Sequence, residues 1–198
     1  VMVGAVNQTP ANVSVRMVRD DLVDFPVHDL PEGYRLRRYR DGDEATWTAL
    51  QAAAEPYLEV TPELFGREYG AHRDALPDRM FFVETVGGEP AGSISAWWEQ
   101  DRYAPNERGR VHWVVVHPDH QRRGLTKPMM TRAMQRLAES HRGAMLATST
   151  GRVWALKVYL DFGFRPDPVE LRDKPEVALA WRAVQERLNH RLLAECLG

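Results

Sequence analysis

Cysteine is almost absent from this chain. Cys196 is the single one in 198 residues, which excludes an intrachain disulfide and reads as a chain of the reducing, cytoplasmic compartment. It lies far in sequence from every motif below and receives no catalytic role. No apolar run approaches the ~20 residues needed to cross a bilayer. Residues 1–6 are too short for a secretory hydrophobic segment and lack a charged lead-in. A surplus of one charge is also missing: 26 basic residues face 28 acidic ones. Neither nucleic acid nor a membrane is therefore an expected partner. Internal repeats and low-complexity tracts are absent, and the length suits one well-buried domain.

What is present is a distinctive junction over residues 111–127, VHWVVVHPDHQRRGLTK. An apolar strand ends at Pro118, a short loop carrying Arg122 and Arg123 turns on Gly124, and a helix follows directly. Such a junction aims free backbone N–H groups at one spot, and the helix dipole adds positive potential there. That arrangement suits a diphosphate, with the arginines adding charge-assisted contacts. Two other phosphate loops are excluded. A nucleotide P-loop needs Gly, four residues, then Gly-Lys-Ser/Thr, whereas here Gly124 stands alone and Lys127 follows Thr126. The dinucleotide fingerprint needs three glycines opening a βαβ unit.

Gln121-Arg122-Arg123-Gly124-Leu125-Thr126 resembles the acyl-CoA loop of the GNAT superfamily of N-acetyltransferases, whose pattern is Gln/Arg-x-x-Gly-x-Gly/Ala. It departs at Thr126, a larger residue whose hydroxyl can donate to a phosphate oxygen. Downstream, residues 155–164 (ALKVYLDFGF) resemble the family's Ala-x-x-x-Tyr-x-x-x-Gly-Phe segment on the helix beside the thioester. Order and separation suit one crossover, with a strand over 144–149 between two helices. The resemblance implies a mixed α/β (α+β) fold, with a mostly antiparallel central sheet, helices on both faces and, here, an added C-terminal helix. It implies an acyltransferase that moves an acetyl group from acetyl-CoA to a primary amine of a small molecule or, less simply, a peptide. The implied cofactor contacts are Val114, Val115, Val116, Gln121, Arg122, Arg123, Gly124, Leu125, Thr126, Lys127, Ser149, Arg152 and Ala155. No metal is implied.

Acetyl transfer from a thioester needs the reactants held together, a neutral amine, a backbone donor for the oxyanion and a proton for the leaving thiolate. In the family, the strand before the loop splays from its parallel neighbour at a bulge. The N–H of Val114 or Val116 is then expected near the thioester carbonyl. Tyr159 matches the family tyrosine facing the sulfur and is expected to be the general acid. Read without the motif, it is a core tyrosine beside Phe162 and Phe164. The position where many members carry a basic Glu is Arg110, which cannot serve. His112, two residues on and on the same strand face, matches the histidine of arylalkylamine-acetylating members. An imidazole near its ordinary pKa of ~6.5 suits the base; a half-buried, backbone-bonded His is the other reading. Glu84 is a weaker base candidate, and His117 and His120 read as turn residues. Arg152 replaces an Asn that binds pantetheine in many members. Ser149 and Thr150 are placed along the same channel. Two rival functions stay open, a CoA-binding module without transfer and an acyl-CoA decarboxylase.

Along the chain, residues 1–30 read as an extension with a strand over 13–18, and residues 31–198 as the acetyltransferase domain. Strands are expected at 34–39, 80–86, 90–99, 110–116 and 144–149, with a mobile loop over 101–109. Helices are expected from Asp43 as N-cap to Ala54, from Thr61 as cap to before Pro77, and over 126–141 and 152–162. A short strand is expected within 164–171. Residues 175–197 read as one long helix whose stripe, Val177, Trp181, Val184, Leu188 and Leu192, packs on its own sheet or on a second copy. Acidic residues between 43 and 78 and the aromatics Trp47, Tyr57, Phe65, Trp97 and Trp98 are expected around the acceptor.

Overall fold

A computed structural model describes residues 12–100 and 107–198. Residues 1–11 and most of the loop expected over 101–109 lie outside the described residues. The element order is β1 (Ser14–Arg19), β2 (Tyr34–Arg38), α1 (Asp43–Ala54), α2 (Glu63–Tyr69), a 3-10 stretch (Gly70–Ala75) and α3 (Leu76–Arg79). There follow β3 (Met80–Thr85), β4 (Pro90–Gln100), β5 (Glu107–Val116), α4 (Thr126–Ala138), β6 (Ala144–Ser149) and α5 (Val153–Asp161). The chain closes with β7 (Arg165–Pro166), α6 (Pro168–Asp173), α7 (Pro175–Leu188) and α8 (Arg191–Leu197). Its described residues fold as two compact units, one within Arg19–Met145 and the other of residues 12–18 together with Leu146–Gly198.

In the larger unit β2, β3, β4 and β5 lie side by side in that order, all antiparallel. β5 then pairs in parallel with the start of β6, Gly109 with Ala144 and Arg110 with Met145. The mixed, mostly antiparallel character expected from the sequence is therefore present. The core here is aromatic: Tyr39, Trp47, Leu50, Leu64, Phe65, Tyr69, Phe82 and Trp97 cluster with Val115. Trp47 has no exposed surface and meets Phe65, Tyr69 and Trp113 edge-on. Each such buried side chain contributes about 2 kcal/mol or more through apolar burial. Met130, Met134 and Leu137, the expected face of α4, are fully buried.

Two local expectations change. Gly42, not Asp43, precedes α1 as its cap. Asp43 instead accepts from the Arg40 N–H and pairs with Arg37 Nη1 at 2.6 Å. The second helix is broken into α2, the 3-10 stretch with a kink at His72, and α3, in whose first turn Pro77 sits.

In the smaller unit β1 pairs antiparallel with β7, Met17 with Pro166 and Val18 with Arg165. Buried polar contacts bind the same neighbours: Arg16 Nε lies 3.1 Å from Asp167, and the Arg16 backbone N–H donates to Glu170 Oε2 at 2.9 Å. The expected strand over 164–171 is cut to two residues because Asp167 caps α6, accepting from the Val169 N–H, with Pro168 opening the helix. The long C-terminal helix is two helices, parted at Asn189 (φ 46°), a residue type that tolerates left-handed backbone. Val177, Trp181 and Val184 of its stripe are buried within this unit. No helix among the described residues is long and apolar enough to cross a membrane.

Candidate active site

The loop after β5 is held shut by Gln121, whose Nε2 donates to Val116 O at 3.2 Å. Arg122 (φ 60°) and Gly124 (φ 80°) both take left-handed backbone. Alternation of left-handed residues with ones of negative φ can turn neighbouring N–H groups to one side, as in an anion nest. Gly124 adopts this freely; Arg122 does so at a cost of about 1 kcal/mol. The chain then enters α4 through buried Leu125, already helical at φ −73°, and no side chain caps the helix. Helix geometry leaves the first amides of α4 without intrahelical acceptors. Arg122 and Arg123 are exposed beside them, while Thr126 and Lys127 are half-buried. Arg123 Nη1 donates to Tyr34 Oη at 3.3 Å, and that hydroxyl bonds His120 Nδ1 at 3.0 Å. His120, expected as a mere turn residue, is buried and braces the loop, with Glu89 3.5 Å from its Nε2.

One turn of strand earlier, β5 bulges. Ser93 of β4 faces Val115 while Ser95 faces His112, so β5 spends three steps against two. Trp113 takes up the extra residue with φ 48°, a conformation rare for so bulky a side chain. Opposite, a Cβ on Gly92 would come within 2.6 Å of Val115 O, so glycine is required there. The expected bulge near Val114 is thus present, centred on Trp113 and Val114. Gln51 of α1, itself buried, reaches it with Nε2 donating to Trp113 O at 3.4 Å.

His112 is 6% exposed and its Nε2 lies 2.9 Å from Glu68 Oε2. The same oxygen accepts from Trp113 Nε1 at 2.9 Å. Burial pushes the imidazole down to about 4, against the pull of Glu68, with Arg110 adding to the depression. The hydrogen bond from His112 and then that from Trp113, opposed by burial, hold the Glu68 carboxyl at about 2. At neutral pH the pair is neutral imidazole and carboxylate. The ordinary imidazole value expected from sequence is corrected downward, because this histidine is buried rather than half-exposed.

Tyr159, Ser149, Arg152 and Ala155 belong to the smaller unit. Tyr159 is 7% exposed, and burial raises its phenol to about 12, with the charge of Arg152 pulling slightly the other way. Its carbonyl accepts from the Phe164 N–H at 3.0 Å, which closes α5. Ala155 is half-buried. The buried Ser149 Oγ has no hydrogen-bond partner among the described residues. Thr150, expected beside it along the channel, turns its hydroxyl to the Val13 N–H at 2.9 Å and ties down β1.

The Acetyltransferase (GNAT) family model matches residues 23–164. The chain belongs to the GNAT acetyltransferase family. Its similarity extends to a mycothiol acetyltransferase of Streptomyces bingchenggensis, 32% identical over 167 residues, covering 78% of this chain and 50% of that protein. A mycothiol acetyltransferase of Streptomyces coelicolor is 30% identical over 159 residues, again covering 78% and 50%. The chain spans about half the length of the curated relatives it matches. In fold it is similar to a GCN5-related N-acetyltransferase from Sphaerobacter thermophilus, with a TM-score of 0.65 at 17% identity over 80% of this chain and 50% of that one.

Against this GNAT frame the other acidic candidates are already engaged. Glu84 is buried, and although burial opposes its charge, Arg37 and Arg35 hold its carboxyl low; each lies 2.7 Å away. Glu44 pairs with Arg73. Arg110, where many GNAT members carry their base, lies 2.6 Å from Glu99. Of the expected aromatic walls, Trp47, Phe65 and Trp97 are core, Trp98 stacks on Trp97, and Tyr57 is 47% exposed. Sequence reasoning counted Glu68 only as rim charge. The available signal was its place in α2: it shares a stripe with Leu64, Phe65 and Tyr69, all buried.

Proposed function

We propose that this chain transfers an acetyl group from acetyl-CoA to a primary amine of a small molecule, by direct attack in a ternary complex. Family membership supports acetyl transfer in general. The observation that carries the cofactor is the nest-like loop at Arg122 and Gly124 opening onto an uncapped 13-residue helix. Its donor chemistry, backbone amides plus two exposed guanidinium groups, suits a diphosphate. The Leu125, Thr126 and Lys127 segment completes that cradle, with Gln121 fixing its entry. Pantetheine would run along Val114, Val115 and Val116; the roles of Ser149, Arg152 and Ala155 toward it rest on the sequence resemblance alone. When bound, acetyl-CoA supplies an activated acyl carbon.

The N–H of Val114 or Val116, displayed by the bulge, would receive the oxyanion. As the amine attacks, its nitrogen lends out its lone pair and its remaining protons become acidic. His112, a neutral imidazole with one nitrogen lone pair free, takes one of them, and the ionised Glu68 stabilises the imidazolium that forms. Tyr159, protonated throughout the neutral range, would return a proton to the thiolate. The negative charge of the His112–Glu68 pair favours an acceptor that arrives as an ammonium ion.

Free-thiol release across an amine panel tests the reading. The panel includes alkylamines, arylalkylamines, a peptide with a free N-terminus and, because of the relatives' name, mycothiol stripped of its acetyl group. Release that requires both acetyl-CoA and a small amine is the expected result. Acetyl-CoA binding without release for any amine would leave a binding module, and malonyl-CoA turnover without amine a decarboxylase; either overturns the proposal. A smaller effect follows from the brace on Arg123. Tyr34→Phe is expected to raise the acetyl-CoA KM about threefold, the value of one modest hydrogen bond, with kcat unchanged. Steady-state kinetics with the amine saturating would show it, and an unmoved KM would remove Tyr34 from the loop's support.

A further inference from the structure

Resting on His112 as the base, we infer that Glu68 is a positioning residue that fixes the tautomer of His112 and holds Trp113 in the bulge. Neighbouring residues on a regular strand point to opposite faces. His112 and Trp113 are neighbours, yet Nε2 of one and Nε1 of the other both lie 2.9 Å from Glu68 Oε2. This is geometrically possible because Trp113, at φ 48°, breaks the alternation. Glu68 therefore rewards the one backbone conformation that presents the bulge. An ionised carboxylate only accepts, and an indole N–H only donates. Both contacts to Oε2 must then be donations, so His112 carries its proton on Nε2 and keeps the Nδ1 lone pair for the substrate. Arg110, along β5, and Tyr69, whose hydroxyl is 2.9 Å from Ser95 Oγ and whose ring meets the imidazole edge-on, complete the polar surroundings. Neither contributes an acceptor contact to the imidazole that would replace Glu68.

Three variants and three measurements test this on the intact chain. Imidazole nitrogen NMR of the unliganded protein is expected to show His112 as the Nε2–H tautomer in the wild type and a mixture of tautomers in Glu68→Leu. In the same variant the Trp113 indole proton should exchange faster with solvent. Transfer kinetics should show kcat lowered about 30-fold or more, with the acetyl-CoA KM within about twofold. Glu68→Gln keeps an acceptor oxygen in place and is expected to restore the tautomer and return kcat to within about tenfold of wild type; Glu68→Asp, too short to reach both donors, should not. A side chain that merely filled space on α2 would lower kcat without touching the tautomer. An unchanged Nε2–H tautomer in Glu68→Leu, or an unchanged kcat, overturns the inference. If Glu68→Leu does not fold, the Gln and Asp variants decide by the same two readouts. A wild-type chain that releases no thiol with any amine would instead sink the transferase reading, and the tautomer result alone would then decide the orienting role.

Discussion

Tyr159→Phe is expected to slow acetyl transfer about a hundredfold while leaving acetyl-CoA affinity within about twofold. The substitution removes one oxygen and keeps the ring that fills its place in the core. Tyr159 is buried and its phenol stands at about 12. It therefore holds its proton across the neutral range, the form that the proposed acid role requires. Without that proton the thiolate must leave as an anion, which raises the barrier. The loss should shrink with an acyl donor whose thiol is more acidic, such as an aryl thioester, because a better leaving group needs less help. Single-turnover rates with both donors check this. An equal loss for both donors, or no loss at all, would return Tyr159 to a packing role.

His112→Gln is expected to lower kcat by about a hundredfold and to leave the pH at which the amine ionises unmoved. With the imidazole pushed down to about 4, the base is unprotonated across the neutral range. In the wild type, kcat/KM should rise with pH as the amine loses its proton. It should show no inflection near the ordinary imidazole value of ~6.5. The limb that belongs to His112 lies on the acid side near pH 4, where protonation fills the lone pair the reaction needs. A wild-type inflection near neutrality that disappears in the variant would contradict the buried, depressed histidine. Profiles that superimpose at full rate would remove His112 from the chemistry altogether.

Local chemistry was legible wherever the relevant partners sit close in the chain. The strand, Pro118, Gly124 and the start of α4 fall where the sequence put them, because an apolar run, a helix breaker and a φ-tolerant glycine act within a few residues. Long-range pairing was not. Glu68 meets His112 44 positions along the chain, and although its stripe on the seven-residue α2 marks it as inward-facing, nothing local names the strand residue it meets. The bulge was implied by family likeness, but nothing in a tryptophan announces left-handed backbone, which its bulk opposes. At the C-terminus the apolar spacing runs on to Leu192 and masks the break, since Asn189 bends the chain without proline or glycine. At Pro166 and Pro168 the prolines were read as interruptions of a strand, although Asp167 followed by Pro168 is also how a helix begins.

The anchoring of Trp113 by Gln51 and Glu68 bears on any attempt to retarget the enzyme. If the acceptor sits against α1 and α2, as expected from the sequence, that segment is the one to exchange with a relative's in order to change which acceptor is taken. Those same helices, however, grip β5 at Trp113, in the bulge whose amides are proposed to meet the reacting carbonyl. A chimera that kept a new acceptor wall but dropped these two side chains would trade selectivity for a slack catalytic strand. Grafts should therefore carry both positions over, and recruitment of new acceptors in nature would be confined to the remaining residues of the two helices.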